Sequence, residues 1–230
     1  MSSQFWDRLW RSAGIQFVIL FIVAYFIYGD PPKVGSSPDT LASFYDGNRM
    51  RIVIATFLFG MAVLCLLWFA AAIRSALRDA GQDGWGAAVT ASSAALAGIL
   101  FVLMTMGAAP VYKIAGSGNP TLTSGLNDGA LICIVMTSFP RAMLMMAGTF
   151  GLWRAGMISN TLFGAGVASV VLVLLGGTTW ATGGFWAPDG AYSQFISPLI
   201  GIAWIIVTSG VLLKNPSSAH MPDRAAVPQW

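Results

Sequence analysis

The residue best placed to do unusual chemistry is Arg141, a guanidinium inside the otherwise uncharged run from residue 129 to 152. A charge near the centre of a membrane span costs about 2.5 to 3.5 kcal/mol on insertion scales, so its surroundings must compensate it. Arg141 lies roughly 18 Å into that run at 1.5 Å per residue, close to the midplane of a bilayer. Pro140 precedes it, and a proline there removes a backbone donor and frees a carbonyl one turn earlier, near Met136 and Thr137. Two roles follow. The guanidinium satisfies carbonyls opened by the kink, or it faces a polar cavity and holds an anionic group such as a lipid headgroup or a carboxylated ligand. No Asp falls inside an apolar run, so an internal counter-ion would have to be an end residue such as Asp46, Asp128 or Asp189. That shortage favours an anion from outside the chain.

Asp128 and two arginines complete the candidate ligand-binding set of Arg141, Asp128, Arg49 and Arg51. Asp128 follows Asn127 at the expected outer start of the fourth run, where a side-chain oxygen caps free backbone N–H groups. Its alternative roles are a cation ligand or a partner for Arg49 or Arg51. Asp46 has the spacing to pair with Arg49 if that segment is one helix.

Other chemistry lacks its residues. All nine acidic residues are Asp, and the single histidine, His220, lies in the polar tail. Cys65 and Cys133 sit apart in apolar runs and read as inert thiols. Met143, Met145 and Met146 cannot all share one helical face and read as packing residues. There is no phosphate-binding loop, HExxH or Ser/His/Asp set, so no catalytic residue, metal ligand or cofactor is expected.

The elements that must position these groups are membrane helices. Of 230 residues, 56% are hydrophobic and 9% charged, against roughly 25% charged in soluble domains. Six apolar stretches, uncharged apart from Arg141, approach the length that crosses a bilayer: about 12–28, 52–73, 86–109, 129–152, 162–183 and 195–213. The expected fold is an all-α polytopic bundle of six transmembrane helices in one domain, 1–213, with a polar cytoplasmic tail, 214–230. The first stretch follows Arg8 and Arg11 like a signal sequence, but Tyr28-Gly29-Asp30-Pro31-Pro32 offers no small-residue cleavage site, which favours a retained anchor. With both ends inside, Arg8, Arg11, Arg74, Arg78, Arg154, Lys214 and Arg224 face the cytoplasm, against Lys33, Arg49, Arg51 and Lys113 outside. Loops 29–51 and 110–128 are long and outer. In the first, Ser37-Pro38-Asp39 predicts the start of a short interfacial helix. Small residues four apart, Ala94/Gly98, Ala147/Gly151 and Gly164/Ala168, predict close helix approach. The net charge of +3 is scattered and gives no footprint for nucleic acid.

The segment Phe44-Tyr45-Asp46-Gly47-Asn48-Arg49, running into LFGMAVLCLLWFAAAIRSALRDA, together with SFPRAML and FWAPDGAY, resembles a family of uncharacterised bacterial multi-pass membrane proteins with a domain of unknown function. The resemblance implies residence in a bacterial plasma membrane and lends no reaction. The leading expectation is a non-enzymatic integral membrane protein, an accessory subunit or a small-molecule or lipid-binding bundle open to the outer face. Its expected neighbours are the lipid bilayer and a membrane-protein partner or second copy. A small transporter or channel for an anionic or amphipathic solute is the alternative, and an intramembrane enzyme the third class.

Overall fold

The computed structural model describes residues 9–114 and 120–215, and their regular structure is helical throughout. His220, Arg8, Arg224 and nearly all of the polar tail lie outside those residues. We number the helices α1 (Ala13–Tyr28), α2 (Pro38–Gly47), α3 (Arg49–Asp79), α4 (Asp83–Ala109), α5 (Pro120–Met136), α6 (Ser138–Arg154), α7 (Asn160–Leu175) and α8 (Ser197–Lys214). Five segments are long and apolar enough to cross a membrane: Arg49–Asp79, Asp83–Tyr112, Thr121–Arg154, Asn160–Thr178 and Tyr192–Lys214. The first expected span, 12–28, is an apolar helix, α1, of 16 residues, shorter than the five segments that are long enough to cross. Ser12 forms a turn between it and helical residues 9–11, and its hydroxyl donates to the Leu9 carbonyl at 2.9 Å.

Two expected boundaries are corrected. The fourth span begins at Pro120, so residues 120–128 are helical rather than part of a loop. Pro120 is free to start a helix because its missing N–H would have no partner there. The fifth span ends at Leu175, followed by one 3-10 turn over Gly176–Thr178, instead of running to 183. The adjacent glycines Gly176 and Gly177 favour that early stop.

α2 starts where the capping pattern at Ser37-Pro38 predicts. The Ser37 hydroxyl accepts the Thr40 N–H at 3.3 Å, and Pro38 occupies the first turn. Leu41 and Tyr45 are its buried residues, packed with Ile52 and Val111 at one end of the bundle. That end is called the α2 end below. Asn48 separates α2 from α3, so residues 46–49 are not one helix, and Asp46 and Arg49 both stand exposed rather than paired in helical register.

The long helices pack as a ring in chain order, each against the next, with α8 returning to α1. Tight turns join α3 to α4 and α6 to α7, as antiparallel neighbours require. At the far end Arg11 closes the ring by donating to the Leu212 and Asn215 carbonyls at 3.1 and 3.0 Å. A cation there also meets the negative end of α8. The far half is filled by fully buried Phe69, Ile73, Leu77, Leu152 and Leu212. Of the three small-residue pairs, only Ala147/Gly151 makes a close interhelical contact: a Cβ on Gly151 would lie 2.7 Å from Leu77. Gly98 and Gly164 face open space, so those pairs serve no packing inside this chain.

Candidate functional site

The ring is not filled along its whole length. A cavity of about 230 Å³ opens within the half nearer α2, bounded by α1, α3, α4, α5, α6 and α8. Phe17, Phe21, Phe59, Leu100 and Ile202 give the wall its character, and Leu66, Leu96, Met145 and Ile205 line it at depth. Among the described residues, the wall contains one charged side chain, Arg141, and no carboxylate. At about 30 Å³ for each water-sized group packed as in a liquid, the space holds on the order of eight such groups. That is more than a simple inorganic anion fills and about what a medium-length acyl chain needs.

Arg141 is brought there by a break in the long fourth span. Thr137 is a turn between α5 and α6, one turn before Pro140, where the missing proline donor should interrupt the ladder. The Thr137 hydroxyl donates back to the Ile134 carbonyl at 2.6 Å, and the Arg141 N–H resumes the helix on the Thr137 carbonyl at 3.1 Å. The side chain then points toward the N-terminal end of its helix, as helical side chains do. Its stem crosses α8 at Gly201, where a Cβ would stand 3.2 Å from Arg141 Cδ. One turn further toward the α2 end, Nη2 donates to the Ser197 hydroxyl at 2.7 Å and to Ser138 at 3.3 Å.

Those two hydroxyls bear on both roles open to Arg141. Its hydrogen bonds go to serine hydroxyls rather than to carbonyls exposed by the kink, and they engage Nη2 alone. Nε is buried with no hydrogen-bond partner. Arginine offers five N–H donors in a planar fork suited to carboxylate and phosphate oxygens. Serine hydroxyls are neutral, so they orient the fork without neutralising it. Leaving a buried charged donor unpaired costs more than the net worth of an ordinary hydrogen bond. The site as it stands is therefore complementary to an anion.

A polar knot crosses the α2 end of the cavity. The Tyr45 hydroxyl donates to Asn127 Oδ1 at 3.0 Å, and Asn127 Nδ2 donates to the Pro32 carbonyl and to Asp128 Oδ1, both at 3.3 Å. Asp128 Oδ1 also accepts the Gly35 N–H at 3.4 Å. Burial, and next the neighbouring Tyr28 hydroxyl, raise the Tyr45 pKa above the usual tyrosine value, so this hydroxyl stays a donor. Asp128 thus fastens loop 29–37 to α5 from within the helix. It does not cap the helix start, because α5 begins at Pro120. Arg51 donates from Nη2 to the Tyr28 carbonyl at 2.9 Å, closing the end of α1 beside Gly29, whose φ of 74° admits a glycine.

Of the four candidate residues, then, only Arg141 lines the cavity. Asp128 and Arg51 hold its α2 end together, and Arg49 stands exposed. Sequence reasoning missed Ser197, Asn127, Tyr45 and Gln194, all near the cavity. Ser197-Pro198 carries the signal of a helix start, but nothing in a single sequence pairs it with Arg141 across 56 residues. Met145 packs into the cavity wall while Met143 is 40% exposed on another side, and both cysteines are free thiols. No family model, curated protein or solved structure matches the chain.

Proposed function

We propose that this protein is a non-enzymatic six-span bundle that holds an anionic amphiphile in its central cavity, the head on Arg141 and the chain against the apolar wall. One observation carries the reading: a partly unsatisfied guanidinium in an apolar, carboxylate-free cavity large enough for an acyl chain. The head must supply the selectivity. Bilayer lipid is as apolar as the cavity wall, so moving a chain from one to the other gains little, whereas an anion on Arg141 relieves a buried charge. The close-packed far half supports a binding bundle over an open channel.

Six spans with both ends inside fit the same picture. Helical residues 9–11 extend α1 to a total of about 30 Å at 1.5 Å per residue, enough to cross with Ser12 as a local turn. Arg74, Arg78, Arg154 and Lys214 then gather on the cytoplasmic face, and the α2 end, with the cavity, faces outward. The bacterial plasma membrane is the location that the resemblance implies.

The test is a titration in detergent with two pyrene-labelled probes of equal chain length, a carboxylate and the matching alcohol. Wild type should prefer the carboxylate by about tenfold or more, since charge-assisted hydrogen bonds are worth about 1.5 to 3 kcal/mol. Arg141→Gln should bind both alike. Equal binding of the two probes by wild type would reject the proposal.

A further inference from the structure

A second depression lies on the outside of the ring, in the seam between α3 and α4, lined by Gly60, Phe101, Thr105, Ala108 and Tyr112 together with Thr56 and Met104. Thr56 and Met104 also line the central cavity. The two spaces are therefore separated at that seam by side chains rather than by a helix. Met104 is 8% exposed and packs with Val63 and Ala97, the buried residues of the α3–α4 contact. Its unbranched thioether has three rotatable bonds and repacks at low cost. Gly60 makes the external groove: a Cβ there would meet nothing within 4 Å. Around it stand exposed Phe57, Met61, Phe101 and Val102, a surface suited to acyl chains and poorly suited to water. The α2 end offers no equivalent, because the Tyr45–Asn127–Pro32 knot spans it.

We infer that the ligand enters sideways from the membrane, through the α3–α4 seam, with the groove at Gly60 receiving its chain and Met104 and Thr56 forming the movable partition. This rests on the proposal that the cavity holds an anionic amphiphile, and it names the source as the bilayer rather than the surrounding water. Lateral entry never strips the chain of an apolar environment; only the head crosses from interface to Arg141. An acyl chain arriving through water would first have to leave an apolar phase.

The experiment follows arrival rates in vesicles containing the purified full chain, with tryptophan-to-pyrene energy transfer as the signal. One probe is a pyrene-labelled long-chain carboxylate already in the bilayer; the other is water-soluble pyrenebutyrate. Gly60→Leu, whose Cβ meets nothing within 4 Å, places a side chain in the groove and should slow the bilayer probe by about tenfold while leaving its equilibrium occupancy unchanged, as a change confined to the path of entry requires. The water-soluble probe should arrive as in wild type. Met104→Ala opens the partition and should speed the bilayer probe, a result that loss of folding would not produce. Unchanged bilayer rates in both variants, or equal slowing of both probes in Gly60→Leu, would overturn lateral entry. Loss of carboxylate preference at equilibrium would instead point to the cavity proposal, and Arg141→Gln serves as the control for that outcome.

Discussion

Arg141 is held by contacts that a single methyl group can disturb. A Cβ on Gly201 would lie 3.2 Å from Arg141 Cδ, so Gly201→Val should push the guanidinium off Ser197 and abolish carboxylate preference. Gly210→Ala on the same helix meets nothing within 4 Å and should change neither binding nor thermal stability. Carboxylate and alcohol titrations of the two variants check this pair. Ser197→Ala removes the shorter of the two Nη2 bonds. A hydrogen bond to a charged group is worth about 1.5 to 3 kcal/mol, and thermal unfolding in detergent should show the loss as a lower Tm. If the ligand occupies the free donors, a saturating carboxylate should narrow the Tm gap between wild type and Ser197→Ala. Arg141 itself was legible in the sequence because an uncompensated charge stands out against apolar neighbours. Its serine partners were not, because hydroxyls are common in membrane helices and only the tertiary fold brings Ser197 to it.

Two devices at the level of elements shape the cavity. The first is the break at Thr137, whose cause, Pro140, was readable from the sequence. Pro140→Ala restores a donor for the Met136 carbonyl and continues the helix, which moves Arg141 away from Ser197. Probe affinity should fall while thermal stability does not; a variant equal to wild type in binding would remove the break from the account. The second is the knot that ties α2 over the ring. The raised Tyr45 pKa makes its contribution depend on alkaline pH. Because the folded value lies above the unfolded one, the stabilisation is fully present below about pH 10 and is lost as pH rises beyond it. Tyr45→Phe should lower stability at neutral pH by about 1 to 3 kcal/mol, since Asn127 loses a buried partner. It should also flatten the alkaline limb of a stability–pH curve, which unfolding monitored across pH 8 to about 12 would reveal. The start of α2 at Ser37-Pro38 was visible as a capping pattern. The early start of α5 was hidden because Gly, Asn and Thr in residues 120–128 look like loop composition, although tertiary packing under α2 holds them helical.

At the scale of the whole molecule, apolar runs located each long helix but not every boundary: the fourth was expected from 129 and starts at Pro120, and the fifth was expected to 183 and ends at Leu175. They could not predict the ring or its unfilled half, which depend on which side chains meet between helices. The outward-facing α2 end has its own check. In a background lacking Cys65 and Cys133, Ser36→Cys should react with an impermeant thiol reagent added outside intact cells and Ser159→Cys only after the membrane is broken. The reverse pattern would contradict the proposed orientation. The central claim is that the cavity holds an anionic amphiphile through Arg141, and photolabelling tests it most directly. A medium-chain carboxylate bearing a diazirine at its far end should tag peptides containing cavity-wall residues such as Leu96, Leu100 and Met145, and Arg141→Gln should lose those tags. Labelling confined to lipid-facing residues such as Phe57 and Phe26, or labelling of the cavity wall that persists unchanged in Arg141→Gln, would contradict it.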